Sequence, residues 1–477
     1  TVYCALTNAH VRAGRPDAAL RSVEQARARL LADQLAGAAK RDTVFSVPSP
    51  SELRRALGPE EAALLYANAG PRWPLTALVV TPDTTYAQEL PEAQVQAKME
   101  AAFATSLRRL RRTKGPLTAA LAGTPSTPRN EAPGLSEAIR LYRTRLTRES
   151  TVDSTQRRLA RHLHDLLIAP VERPLRSRET VTVVPTGTLG YLPFETLRGP
   201  GGRYLVQKKQ VRYAQSLTVL RQLQEREYPP DRRPLLALGG AAYGGPAPSG
   251  EGPLLAEARR SRAGAQSDSE ATALYRSAER RLEAGRSPGS AYAELGYRRW
   301  PSLFGTRLEV RKLKQALGPG AALLTGAEAS EKRVRQMSAS GELAAYRQVH
   351  FATHGIAVPE APSLSALVLS QEGVSESLAS NDGYLTMREI ADLKMEADVA
   401  VLSACRTGLG QIVAGEGVVS LSHAFLRAGA NATLVSQWRV LDWSTQQFMA
   451  RVYRRAAAGA GFAEAVTAVK RSFIAGE

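Results

Sequence analysis

Two short runs, VHFATHG (Val349–Gly355) and VAVLSACRTGLG (Val399–Gly410), decide the fold. Each opens as a continuous apolar segment with β-branched residues, the composition of a strand buried on both faces. Each closes in polar and glycine punctuation, His354-Gly355 in the first and Cys405-Arg406-Thr407-Gly408 in the second. Working outward, strands at Ala321–Leu324, Gln348–Thr353, Ala397–Ala404 and Ala432–Gln437 alternate with helices at Arg307–Leu317, Ser330–Met337, Thr386–Asp392 and Gly417–Arg427. Two further helical segments, 443–457 and 462–474, follow. Short apolar strands alternating with helices predict an α/β fold, a mostly parallel sheet covered on both faces.

In an open parallel sheet, reactive groups gather at the carboxyl ends of strands. His354 and Cys405 both stand at such ends. If their strands are sheet neighbours, imidazole and thiol are presented side by side. The histidine can then take the thiol proton, and the thiolate becomes a nucleophile. Gly355 lets the backbone approach a substrate closely, so its N–H and that of Cys405 can hold an oxyanion. The competing reading makes Cys405 a small core hydrophobe closing a strand.

The composition narrows the chemistry. Only two cysteines, Cys4 and Cys405, and six histidines occur in 477 residues. A disulfide scaffold and a clustered thiolate zinc site are both excluded, and no histidine has a partner at ligand spacing, so neither metal nor cofactor is expected. This cysteine usage suits a reducing cytoplasm, and no apolar run of membrane-spanning length is present. Lys and Arg number 63 against 45 acids, a net charge of +18. Such an excess draws the chain toward acidic surfaces, but aromatics are only 6%, so nucleic-acid contact is expected to be indirect or non-specific. The start at Thr1 suggests a piece of a longer protein.

Three regions are expected. Residues 1–38 read as helix, turn, helix, with Gly14 between the arms and small residues Ala19 and Ala26 at packing spacing. That pattern resembles the second half of a tetratricopeptide repeat. Residues 39–150 form an accessory α/β region with its clearest strand at Leu75–Pro82, followed by Arg-rich helical stretches at 91–112 and 135–170. Residues 151–477 carry the main sheet. Within them TVTVVPTGTLGYLPFETL (Thr180–Leu197) reads as a buried strand, a turn and an apolar return, RPLLALGG (Arg233–Gly240) as a second buried strand, and 241–299 as a linker or insertion.

The blocks VVPTGTLGYLPFETL, FGTRLEVRKL, VHFATHG, DGYLTMREI, VLSACRTGLG and GEGVVSLSHAFLRAGANATLVSQWRVLDWST occur in the order found in the CHAT proteases. The chain resembles that family of caspase-like, clan CD, separase-related cysteine proteases, many of them bacterial. The resemblance implies a caspase-like sheet and a protease cleaving protein substrates, with His354 as general base, Cys405 as nucleophile, and Gly355 and Cys405 supplying the oxyanion-hole amides. Arg406 departs from the family, which usually carries an acid there. Asp442 is the first candidate for a P1 pocket that reads a basic residue, with Glu416 and Trp438 as further lining. For Asp442 the rival role is a helix cap. The repeats imply a protein partner. A silent repeat scaffold and a nucleic-acid-associated regulator are the alternatives.

Overall fold

The computed structural model describes residues 2–27, 29–35, 47–68, 73–90, 133–146, 154–243, 277, 280, 292, 300–358, 361–374, 381–404, 408, 410–413, 417–438 and 440–477. The expected helix at 91–112 and nearly all of the linker at 241–299 lie outside the described residues.

The expected α/β class is what the fold shows, with a parallel sheet flanked by helices. Strands β1 (Glu61–Ala67), β2 (Thr76–Val80), β3 (Thr85–Glu89), β4 (Thr180–Val184) and β5 (Gln210–Tyr213) make one five-stranded sheet in the order β3-β2-β1-β4-β5. The first three strands are antiparallel neighbours, whereas β1, β4 and β5 run parallel. Thus the TVTVV strand pairs with β1, and this sheet crosses residue 150. After β4 the chain does not return as a strand. It coils through the 3-10 turns Gly187–Tyr191 and Phe194–Thr196.

The second sheet holds β6 (Leu236–Ala241), β7 (Ala322–Gly326), β8 (Gln348–Ala352), β12 (Val399–Leu402) and β15 (Thr433–Val435), all parallel, in the order β15-β12-β8-β6-β7. One face packs Ala352 and Val401 against Val310, Leu313, Met449 and Tyr453 of the helices Phe304–Leu317 and Asp442–Ala457. The other packs Val349 and Phe351 against Val334, Ile390 and Phe425 of the helices Glu331–Ala339, Met387–Ala391 and Leu421–Ala428. Residues alternate faces along a strand, and burial of both faces explains the unbroken apolar run. Helix starts follow local chemistry: Ser330 accepts the Arg333 N–H at 3.2 Å, and Thr386 and Glu389 close a reciprocal capping box.

Two small sheets stand beside the main one. Strands β9 (His354–Ile356), β10 (Ala366–Val368) and β11 (Tyr384–Thr386) are antiparallel, in the order β11-β10-β9. Strands β13 (Gln411–Val413) and β14 (Gly417–Val419) pair as a hairpin. The helix expected from Gly417 therefore begins at Leu421, capped by Ser420. Residues 417–419 alternate too little to announce a strand, and they adopt one because β13 lies opposite.

At the N-terminus the helices Val2–Arg12 and Pro16–Gln25 form a hairpin around Gly14, whose φ of 66° suits glycine. Glu24 and Arg27 fix this hairpin to the β4 side of the first sheet. No helix among the described residues is long and apolar enough to cross a membrane.

Candidate active site

Strands β8 and β12 are direct parallel neighbours, with Phe351 opposite Leu402. His354 lies three residues beyond Phe351 in sequence, and Cys405 three beyond Leu402. Cys405 itself lies outside the described residues, as does Glu416. Ala404 and Gly408, the nearest described residues on the two sides of Cys405, are both tied to the residue that follows β15. Ser436 donates its hydroxyl to the Ala404 carbonyl at 2.6 Å, and its own carbonyl accepts the Gly408 N–H at 2.8 Å. A Cβ on Gly408 would lie 2.8 Å from Val435 Cγ2, so the loop can come this close only as glycine.

His354 does not simply end a strand. It opens β9 opposite Val368, with Gly355 opposite Leu367. Its ring sits between Tyr243 and Trp300, with centroids at 4.9 and 5.1 Å. Nε2 lies 2.7 Å from the Pro301 carbonyl. A carbonyl can only accept, so Nε2 carries the hydrogen and Nδ1 is the acceptor nitrogen. Burial pushes the imidazole pKa down to about 4, partly opposed by the Pro301 bond. The ring is therefore neutral at ordinary pH, the state a general base needs. The Tyr243 hydroxyl also accepts the His354 N–H at 3.4 Å and donates to the Val368 carbonyl at 3.1 Å.

His350, four residues earlier and inside β8, serves the packing beneath the sheet. It is fully buried, with Nε2 2.8 Å from Glu309 Oε1 and Nδ1 3.2 Å from the Tyr453 hydroxyl. These partners come from the two helices on that face, so His350 pins helices to sheet and does not orient His354.

Asp442 starts the helix Asp442–Ala457, whose own cap position is Leu441. Its carboxylate lies against the backbone of Gly305, in the first turn of the neighbouring helix, whose N–H favours the charged form. A Cβ on Gly305 would sit 3.0 Å from Asp442 Cβ, so glycine permits the approach. Desolvation and the Glu309 carboxylate raise the Asp442 pKa, and the Gly305 N–H opposes them. Asp442 still keeps an exposed side, and its charge is felt at the Tyr243 hydroxyl, which ties it to the His354 neighbourhood. Trp438 is half-buried, just past β15. A cavity of about 530 Å³ lined by Lys312, Trp443, Arg451 and Arg454 lies between the two helices, and gathers part of the positive charge.

Sequence reasoning missed Tyr191 and Arg143. Tyr191 is buried, donates its hydroxyl to the Gly410 carbonyl, and packs with Ala357, Ile412 and Val418. Arg143 is 2% exposed and donates to the carbonyls of Tyr191 and, at 2.7 Å, Gln437. The one available signal was the polar-ended aromatic inside the apolar turn GTLGYLPF.

The family profile described as the CHAT domain matches residues 157–477. Tetratricopeptide repeat protein 28 of Mus musculus is 29% identical over 100 residues, 21% of this chain and 4% of that protein. The Homo sapiens protein of the same name is 28% identical over the same shares. The chain thus spans only a small fraction of these relatives. The crystal structure of the Saccharomyces cerevisiae separase–securin complex aligns over 88% of this chain and 29% of that chain, with a TM-score of 0.40 and 11% identity. The profile covers well over half of the sequence, both sheet neighbours β8 and β12 included, and the chain belongs to the CHAT domain family.

Proposed function

We propose that the protein is a caspase-like cysteine endopeptidase using a Cys405–His354 dyad. The observation that carries this reading is the adjacency of β8 and β12 in a register with Phe351 opposite Leu402, together with a His354 ring whose Nε2 is committed to Pro301. Nδ1 of His354 accepts the Cys405 thiol proton, and Sγ attacks the scissile carbonyl. The N–H groups of Gly355 and Cys405 hold the resulting oxyanion. Collapse breaks the C–N bond, the imidazolium returns its proton to the leaving amine, and a thioester remains. Water, deprotonated by His354, then hydrolyses that thioester and regenerates the thiol.

The P1 pocket prefers Arg or Lys. Asp442 is its first carboxylate, Glu416 its second and Trp438 a wall. A carboxylate in a cleft of reduced dielectric attracts a substrate cation and repels an acidic residue. The N-terminal hairpin belongs to a helical repeat that engages a regulatory protein, as the name of the mammalian relatives and the small-residue packing at Ala19 both support.

The test is to label the native protein with an alkylating or acyloxymethyl-ketone probe. Cys405 labels ahead of Cys4, and His354→Ala suppresses that labelling alone. Equal labelling of both cysteines, indifferent to His354→Ala, refutes the dyad. New peptide termini generated in a proteome by the wild type, and absent with Cys405→Ala, identify the cleavage preference. Termini dominated by P1 Asp would eliminate the acidic pocket.

A further inference from the structure

We infer that Tyr191, gripped by Arg143, is a positioning residue that holds the loops on both sides of the proposed dyad in register with the first sheet. The inference rests on the protease reading for its consequence, but its geometry is independent of it.

Tyr191 ends the turn Gly187–Tyr191 that leaves β4. Its side chain reaches both candidate loops at once. The hydroxyl donates to the carbonyl of Gly410, five residues after Cys405. The ring packs on Ala357, three residues after His354, and on Ile412 and Val418, which face each other across the β13–β14 hairpin. The fit leaves no slack. A Cβ on Gly190 would come 2.5 Å from Val418 Cγ2, and one on Gly410 would come 1.9 Å from the Val419 carbonyl oxygen. The turn is therefore pressed against the hairpin at Gly190, and the two arms of the hairpin against each other at Gly410.

Arg143 extends this grip to a third loop. From the helix Pro133–Leu146, one arm of its fork meets the Tyr191 carbonyl and the other the Gln437 carbonyl, and its guanidinium lies 5.7 Å from the Tyr191 ring centroid. Gln437 follows Ser436, the residue that ties down Ala404 and Gly408. A planar fork bonded to two carbonyls fixes their separation, because charge-assisted bonds from a rigid group tolerate little drift. The first-sheet side thereby holds Gly410 through Tyr191 and Gln437 through Arg143. Small misplacements of a reacting group cost rate steeply, so loosening this grip slows chemistry more than it weakens substrate binding.

The experiment compares Tyr191→Phe and Arg143→Met with Tyr142→Phe. Tyr142 is equally buried and donates to the Thr196 carbonyl at 2.9 Å, away from the catalytic loops. Each variant is measured for thermal stability, amide exchange at 411–413 and 417–419, the alkylation rate of Cys405, and kcat and KM on a peptide with P1 Arg. Tyr191→Phe speeds hairpin exchange and lowers both alkylation and kcat by about tenfold at little-changed KM, whereas Tyr142→Phe shifts stability alone. Arg143→Met acts in the same direction as Tyr191→Phe. If Tyr191→Phe and Tyr142→Phe are indistinguishable in exchange and alkylation, the positioning role is overturned, even should Arg143→Met fail to fold. A wild type that cleaves nothing, yet whose hairpin and Cys405 respond to Tyr191→Phe, sinks the protease reading and leaves the positioning role standing.

Discussion

Glu24→Ala should release the N-terminal hairpin from the rest of the chain. Glu24 is fully buried and its carboxylate accepts the N–H of Leu217 at 3.0 Å, the N–H of Thr218 at 2.9 Å and the Thr218 hydroxyl at 2.7 Å. These two amides belong to the first turn of the helix Leu217–Gln224, where no intrahelical acceptor exists. The next amide, Val219, is satisfied by Ser216. Alanine thus orphans two buried donors, each worth about 1 kcal/mol or more. It also removes the charge opposite Arg27, which is 7% exposed and donates to the Val184 and Pro185 carbonyls. Burial pulls the Arg27 pKa down and Glu24 pushes it back up. Breaking a buried pair from one side costs about 3–5 kcal/mol. At about 1.4 kcal/mol per factor of ten, exchange of the Leu217 and Thr218 amides should accelerate roughly a hundredfold or more. Native-state hydrogen exchange reads this directly. Glu24→Gln, which keeps one acceptor, should fall between, and Arg27→Met should recover part of the Glu24→Ala loss, since it removes the stranded charge. Exchange within a few-fold of wild type in Glu24→Ala, or strictly additive effects in the double variant, would refute the account.

Three further outcomes are expected. With the His354 pKa near 4 by burial, the folded state binds fewer protons than the unfolded state between about pH 6.5 and 4. Stability is therefore lost as pH falls through that window, and melting curves of His354→Gln should decline less over it; parallel curves would contradict the burial argument. Burial, with Glu389 and Asp382 adding repulsion, raises the Glu331 pKa to about 8, so its contribution has the opposite sign and stability falls as pH rises from the ordinary carboxylate range through 8. Glu331→Gln, which retains an acceptor for the Asp382 and Gly383 amides, should gain on the wild type between pH 5 and pH 9 in the same melting assay. Asp442→Asn should stay within about 0.5 kcal/mol in stability, because the position is exposed and the carboxamide is isosteric and can still face the Gly305 N–H. Its kcat/KM should drop about tenfold for P1 Arg and hardly at all for P1 Leu, and an equal drop for both peptides would leave Asp442 as an interhelix cap only.

The main sheet was legible because its information is local. Each parallel strand is a short apolar run that must be buried on both faces, and the helices carry their own periodicity, several with a local cap, as Ser330 and Thr386 illustrate. His354 and Cys405 could be chosen from sequence for the same reason: both follow such runs directly. Sequence could not say that β8 and β12 are neighbours, nor that TVTVV joins β1 instead of the main sheet, since strand partners are selected by hydrogen bonding across long stretches of chain. Strands of three residues, β9 to β11 and the β13–β14 hairpin, have no periodicity to detect and exist only because a partner lies opposite. The pairing of Arg143 with Tyr191 and Gln437, and of Glu24 with Leu217 and Thr218, is of the same kind. A buried charge declares its presence in the sequence as an oddity at most. Its partners are whichever backbone groups the packed sheets bring within hydrogen-bond reach, and only the tertiary structure decides which those are.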